Sequence, residues 1–364
     1  MQKRIVLLNP GPVNVTKRVQ SALLRGDLCH REKEFTDLVN SIREQLINIF
    51  DIERDYTSVL ISGSGTAALE MAVSSSVSPN RKALVINNGV YGERIVKIAQ
   101  CYNIETIILE YNWGCLPKLE ELENALKNDS KIEVVMIVHH ETTTGLLNPL
   151  DAIAEIVHRY KRVLLVDCIS SLGGDRFNFG LWSPQICVGT ANKCIQSFPG
   201  VSFVLVQKND LSRIAKISPR SLYFDLFSHA MAQDKGDTLF TPAIQVYYAL
   251  DEALQELEKE TVDGRVRRYS KAAEFLRQGF LRLNLEFFLP IENYSNTLTS
   301  LKLPQGVDYN ELHDDLKERG FVIYAGQGGL SKTIFRIANI GDIRQEEFQE
   351  FLLELQNCIS ILTK

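Results

Sequence analysis

The sequence predicts an α/β protein: a mostly parallel sheet of seven strands with helices on both faces, followed by a smaller C-terminal α+β domain. Two observations carry this. Between residues 58 and 206, short β-branched runs alternate with helix-like segments, and the runs are apolar throughout rather than at every second residue. Such strands are covered on both faces, as in parallel or mixed sheets flanked by helices. After residue 245 the texture changes to long amphipathic stretches with isolated strand-like runs, an order of elements typical of α+β units.

The strand-like runs are SVLIS (58–62), ALVIN (83–87), ETIILE (105–110), VVMIV (134–138), VLLVD (163–167), ICVGT (186–190) and VSFVLV (201–206). Segments such as GTAALEMAVSS and YGERIVKIAQCY between them are helix-like. Beyond residue 245 the pattern gives two long amphipathic helices, the strand TLTSLKL, the helix YNELHDDLKERG, the strands FVIYAG and TIFRIAN, and a closing helix. The expected division is a large domain over 15–249 and a small one over 250–364, with segment 1–14 packing near the latter.

A chain of 364 residues fits about two domains. The net charge of −5, with no basic block, gives no footprint for nucleic acid. No apolar run approaches the roughly 20 residues of a membrane span. The opening MQKRIVLLNPGPV has only a short apolar run, broken by Asn-Pro-Gly-Pro, and no signal-peptide cleavage pattern. Seven scattered cysteines without a C-x-x-C pair predict a reduced, cytoplasmic chain without structural zinc.

Open α/β sheets bind ligands beyond the carboxyl ends of their strands, so those ends hold the candidates. In SGSGTAALE (62–70) a strand, a turn of small residues and a helix follow one another. The free N–H groups of such a helix start, with Ser64, Gly65 and Thr66, suit a phosphate. A plain tight connection capped by Thr66 is the alternative. The same stretch matches G-x-G-x-x-A, but a dinucleotide site also wants an acid about 20 residues on. The next strand ends in Asn87 and Asn88, which argues against a nucleotide-dependent oxidoreductase.

Asp167 ends a buried run with no cation beside it in sequence; such a carboxylate needs a partner or caps the next turn. Tyr91 follows another strand end and suits stacking on a flat ring or lining a cleft. Thr142 and its neighbours follow a third and offer hydroxyls or turn caps. His139 and His140 are adjacent, so their side chains diverge, and no third ligand has metal spacing. Lys193 sits among apolar neighbours, a setting that lowers an amine's pKa and frees its lone pair. A phosphate cradle, an unpaired acid, an aromatic and a lysine together suit pyridoxal 5′-phosphate, whose enzymes need a Schiff-base lysine and a partner for the pyridinium nitrogen.

These residues lie in LLNPGPV (7–13), SGSGTAALE (62–70), HHETTTGLLNP (139–149), VDCISSLGG (166–174), ANKCIQSFPG (191–200), FTPAIQV (240–246), GFVIYAG (320–326) and FRIANIGD (335–342). On these strings the chain resembles the class V, fold-type I, pyridoxal-phosphate aminotransferases over nearly its whole length. Within that class it is most similar to the 2-aminoethylphosphonate–pyruvate transaminases. The resemblance implies that Lys193 carries the cofactor and shuttles the proton, that Asp167 holds the ring nitrogen and that Tyr91 stacks on the ring. It assigns the phosphate to Ser64, Gly65 and Thr66 and the ring hydroxyl region to Thr142. Thr241 would reach the phosphate of a neighbouring subunit, implying a homodimer with shared active sites, and Arg336 would clamp the substrate's acidic group.

The implied reaction moves the amino group of 2-aminoethylphosphonate to pyruvate, giving phosphonoacetaldehyde and L-alanine. The segment DLCHREKEF (27–35) is closer to alanine/serine–glyoxylate transaminases, which are the alternative. A desulfurase would need a loop cysteine near the C-terminal domain; Cys358 falls inside the closing helix instead.

Overall fold

The computed structural model describes residues 4–363; residues 1–3 of the expected N-terminal segment and residue 364 lie outside the described range. All seven apolar runs form strands of one sheet. These are β1 (Tyr56–Gly63), β2 (Lys82–Asn87), β3 (Thr106–Glu110), β4 (Ile132–Val138), β5 (Val163–Asp167), β6 (Ile186–Thr190) and β7 (Gly200–Gln207). Their spatial order is β1-β7-β6-β5-β4-β2-β3. Every neighbouring pair is parallel except those made by β7, which runs antiparallel to both β6 and β1. Only the edge strand β3 shows alternation, with Ile108 38 % exposed. The inner strands are buried on both faces, which is why their sequences carry no period of two.

Two cores form on the two sides of the sheet. One holds Leu60, Leu84, Val135, Leu164, Cys187 and Phe203 with the helices Lys33–Asn48 and Ile244–Glu260. The other holds Val59, Val85, Met136, Leu165 and Val204 with the helices Gly65–Ser76 and Val90–Cys101. Adjacent residues of each strand fall into different cores, as the alternation of side-chain direction requires.

A second, antiparallel sheet has the order β8-β10-β9, from β8 (Leu298–Lys302), β9 (Tyr324–Ala325) and β10 (Ile334–Ala338). It packs on the helices Val262–Arg282, Tyr309–Glu318 and Gln345–Leu362 around Phe280, Phe321, Phe335 and Phe351. The run FVIYAG, read as one strand, is split. Phe321–Val322 pairs in parallel with Val6–Leu7, while Tyr324–Ala325 joins β10, and the fully buried Ile323 lies between the two pairings. Val6 and Leu8 thereby join the core around this smaller sheet. The expected division at 249/250 falls inside helix Ile244–Glu260. That helix continues its apolar stripe through Leu250, Ala253, Leu254 and Leu257 into the core of the large sheet. No described helix is long and apolar enough to cross a membrane.

Candidate active site

Asp167 is the last residue of β5 and is 2 % exposed. Its backbone is tied to the next strand end, where His139 N–H donates to its carbonyl at 2.9 Å. Its side-chain Oδ1 accepts from Ile169 N–H at 3.0 Å. Burial pushes its carboxyl up to about 7, and the charge of Glu141 adds to this, while Arg94 and Lys193 pull the other way. The carboxylate makes no ion pair among the described residues. A buried acid held this way gains most from an incoming cation.

Lys193 lies three residues beyond the end of β6, the neighbour of β5. Gln196 N–H donates to its carbonyl at 2.9 Å and Ser197 N–H closes back on Ala191 O at 2.9 Å, so the lysine rides on a tight turn. Burial lowers its amine below the usual lysine range; Tyr91, Cys194 and Asp167 oppose this, and Arg336 adds to it. Its Nζ donates to the carbonyl of Pro10. Gly11 has φ +133°, and a Cβ there would stand 2.9 Å from both Cδ and Cε of Lys193. The Asn-Pro-Gly-Pro turn is thus the wall against which the lysine lies. Asn9 Nδ2 fixes that turn by donating to Pro12 O at 2.8 Å. The sequence marked this string only by resemblance; its physical reason is the close approach, which only glycine allows.

Ser64, Gly65 and Thr66 form the junction of β1 and helix Gly65–Ser76. Ser64, not Thr66, takes the N-cap position, and its side chain makes no capping hydrogen bond. A Cβ at Gly65 would meet Ile169 Cδ1 at 2.8 Å, which packs this turn against the residues just after Asp167. Thr66 Oγ1 accepts from Arg94 Nη1 at 3.2 Å, and the Arg94 guanidinium lies 4.6 Å from the centroid of the Tyr91 ring. Arg94, which the sequence reading passed over, brings a positive charge to an already positive helix start.

Thr142 is fully buried and its Oγ1 has no hydrogen-bond partner among the described residues. Its carbonyl accepts from Arg336 Nη1 at 2.8 Å. Arg336 projects from β10 of the smaller sheet and is 3 % exposed. Its other bonds go to Ala325 O at 2.8 Å and Gln327 Oε1 at 3.4 Å, so no carboxylate pairs with it among the described residues. Burial draws its guanidinium below the usual arginine value, which Tyr91, Tyr309 and Glu141 oppose. A buried guanidinium without an anion is suited to capturing one.

His139 and His140 diverge as expected. His139 meets Ser171 Oγ at 3.0 Å and packs on Phe177 and Trp182, whereas His140 faces Ser170 O at 3.2 Å. Burial drives both imidazoles down to about 3, so they are neutral. No group of three metal-binding side chains occurs among the described residues. Thr241 is exposed on the chain's surface, just before helix Ile244–Glu260. Cys358 is buried within the closing helix.

Arg336 therefore meets the Thr142 loop from the smaller sheet, while Asp167 ends one strand of the large sheet and Lys193 follows the end of its neighbour. The family model for class V aminotransferases matches residues 15–341, and the chain belongs to that family. It is 35% identical over 365 aligned residues to a 2-aminoethylphosphonate–pyruvate transaminase of Vibrio cholerae, covering 99% of each chain. A Vibrio vulnificus protein of the same name is 36% identical over 97% of each. Among solved structures, the alanine–glyoxylate aminotransferase of a Nostoc species superposes with a TM-score of 0.92. It is 26% identical, with 99% of this chain and 96% of that one covered.

Proposed function

We propose that this chain is a pyridoxal-phosphate transaminase that moves the amino group of 2-aminoethylphosphonate to pyruvate, giving phosphonoacetaldehyde and L-alanine. The observation that carries the reading is the pairing of an unpartnered buried acid, Asp167, with a lysine of lowered basicity, Lys193, at neighbouring strand ends. The choice of donor is supported by the names of the full-length relatives.

The residues present suit the cofactor. The uncapped start of helix Gly65–Ser76, with Ser64, Gly65, Thr66 and the nearby Arg94, would take its phosphate. Asp167 would face its ring nitrogen, Tyr91 its ring, and the orphaned Thr142 hydroxyl its ring oxygen. Bound pyridoxal phosphate supplies an electron sink for the carbon beside the substrate nitrogen. Asp167, whose carboxylate gains from a cation, keeps that ring nitrogen protonated. Lys193 Nζ, its basicity lowered by burial, would take the proton from the substrate carbon and return it. Arg336, whose Nε and Nη1 are held by Ala325 O, Thr142 O and Gln327, would bind the phosphonate or carboxylate end through its charge and its remaining Nη2. Exposed Thr241 would reach the phosphate bound by a second copy, making a homodimer with shared sites. We place the enzyme in the cytoplasm, in keeping with its seven free cysteines.

The test has two parts. Borohydride reduction of the yellow protein and peptide mapping should put the pyridoxyl tag on Lys193; a tag elsewhere, or none, refutes the cofactor reading. A donor screen should then bleach the bound cofactor with 2-aminoethylphosphonate. Bleaching by alanine or serine alone would assign the chain to glyoxylate-type chemistry instead.

A further inference from the structure

The first amide groups of helix Val90–Cys101 are not capped by their own N-cap residue, Gly89, which has no side chain to offer. They are taken instead by a loop fifty residues later. Val90 N–H donates to Thr143 Oγ1 at 2.9 Å, and Tyr91 and Gly92 N–H donate to Glu141 Oε2 at 3.1 and 3.2 Å. The other oxygen, Oε1, accepts from Thr143 N–H at 3.1 Å and from Thr143 Oγ1 at 2.5 Å. Glu141 is fully buried, and no cation is among the groups that hold it. Four donors and the positive end of the helix serve in place of one. A Cβ at Gly89 would sit 2.3 Å from both Cγ and Cδ of Glu141, so the backbone is cut away to admit the carboxylate.

The geometry points to Glu141 as a positioning residue: it pins the helix that carries Tyr91 to the loop that carries Thr142 and, through the Thr142 carbonyl, to the guanidinium of Arg336. The chain of bonds is continuous from Tyr91 N–H to the Glu141 carboxylate and, one peptide on, from the Thr142 carbonyl to Arg336 Nη1. Groups from three separate elements then hold one spacing. Only a carboxylate fits the role. Both of its oxygens accept, whereas an amide would turn one N–H pair against a donor. A helix that merely needed a cap could use a local Ser, Thr, Asp or Asn; a cap from a distant loop fixes position as well. The inference rests on the proposed contacts of Tyr91, Thr142 and Arg336 with cofactor and substrate.

The test compares wild type, Glu141→Gln and Thr143→Val, each prepared as apoprotein and loaded with pyridoxal phosphate. In Glu141→Gln apoprotein, amide exchange should speed up in the peptide around Val90–Gly92 while thermal unfolding shifts little. In the loaded protein, the visible circular dichroism of the cofactor should change shape. KM for pyruvate should rise about 10- to 100-fold, with kcat falling less. Wild-type dichroism and wild-type KM in a folded Glu141→Gln protein overturn the proposal. Should that variant not fold, Thr143→Val, which keeps the carboxylate, must show the same changes at smaller size; wild-type values there overturn it equally. Failure of the wild-type protein to bind pyridoxal phosphate is a separate result. It refutes the proposed function, and this role falls with it.

Discussion

Asp167→Asn should make the apoprotein more stable while crippling the enzyme. Burial raises this carboxyl from 3.8 to about 7 in the folded chain. Between those values the native state holds a proton that the unfolded chain has released, so the stabilising contribution is complete below pH 3.8 and fades as pH climbs through 7. Above that, keeping the group ionised without a cation costs the fold about 4 kcal/mol, at ~1.4 kcal/mol for each tenfold difference in acidity. Asparagine stays neutral at every pH, and its oxygen can still accept from Ile169 N–H. The advantage of the variant should therefore grow from about 1.5 kcal/mol at pH 5 to about 4 kcal/mol at pH 8. With an unfolding entropy of ~2 cal/mol/K per residue over 364 residues, that is an increase in Tm of roughly 5 to 6 °C at pH 8. Differential scanning of the two apoproteins at both pH values measures it. With cofactor bound the order should reverse, because the proposed partner of the ring nitrogen is gone. Loss of a buried charge partner at about 3–5 kcal/mol lowers turnover by two to three decades or more. Equal melting temperatures at pH 5 and pH 8 would refute the claim that the carboxylate is held at a cost until a cation arrives.

Three further substitutions probe the rest of the site. Lys193→Ala should abolish turnover in a steady-state assay; retained activity would remove the lysine from the chemistry. Arg336→Gln should raise KM for both the phosphonate donor and pyruvate by roughly 10- to 100-fold with a smaller change in kcat. A hydrogen bond to a charged group contributes about 1.5–3 kcal/mol, and an unchanged KM would show that the anion docks elsewhere. Thr142→Val removes a buried hydroxyl that has no partner. The apoprotein should gain up to about 1 kcal/mol in denaturant unfolding, while pyridoxal phosphate binds more weakly by titration; tighter or equal binding would count against a hydroxyl facing the ring oxygen.

The strands were legible because burial on both faces suppresses every other signal. ALVIN, VVMIV and VLLVD are short, β-branched and apolar, as strands covered on both faces are, and all three form such strands. The direction of β7 was not legible, because apolar runs look the same read either way. Nor was the splitting of FVIYAG. Its first four residues are all strand formers, and only the arrival of Val6–Leu7 from the other end of the chain gives its first half a partner. The expected boundary at 249/250 falls inside helix Ile244–Glu260, whose unbroken amphipathic stripe carries no mark of a division.

At the site, the side chains that are short of a partner could be picked out, and those that supply partners could not. Asp167 and Lys193 stood out because their sequence neighbours offer them no counter-charge. The groups that hold the candidates are mostly backbone: Pro10 O on Lys193, Thr142 O and Ala325 O on Arg336, and Ile169 N–H on Asp167. Every residue but proline carries a carbonyl and an N–H, so residue type says nothing about which of them will be used. Glu141 escaped for the opposite reason. Its partners are amides fifty residues earlier, and in sequence it is one acid in a row of threonines. Backbone carbonyls and amides fix orientation without adding charge. Asp167 and Arg336 are therefore held rigidly in place, yet each lacks its counter-ion among the described residues. A cationic ring nitrogen would satisfy the first and a phosphonate or carboxylate the second. Carboxylates and lysines of the protein itself in those places would have made a more stable chain and left nothing for a ligand to bind.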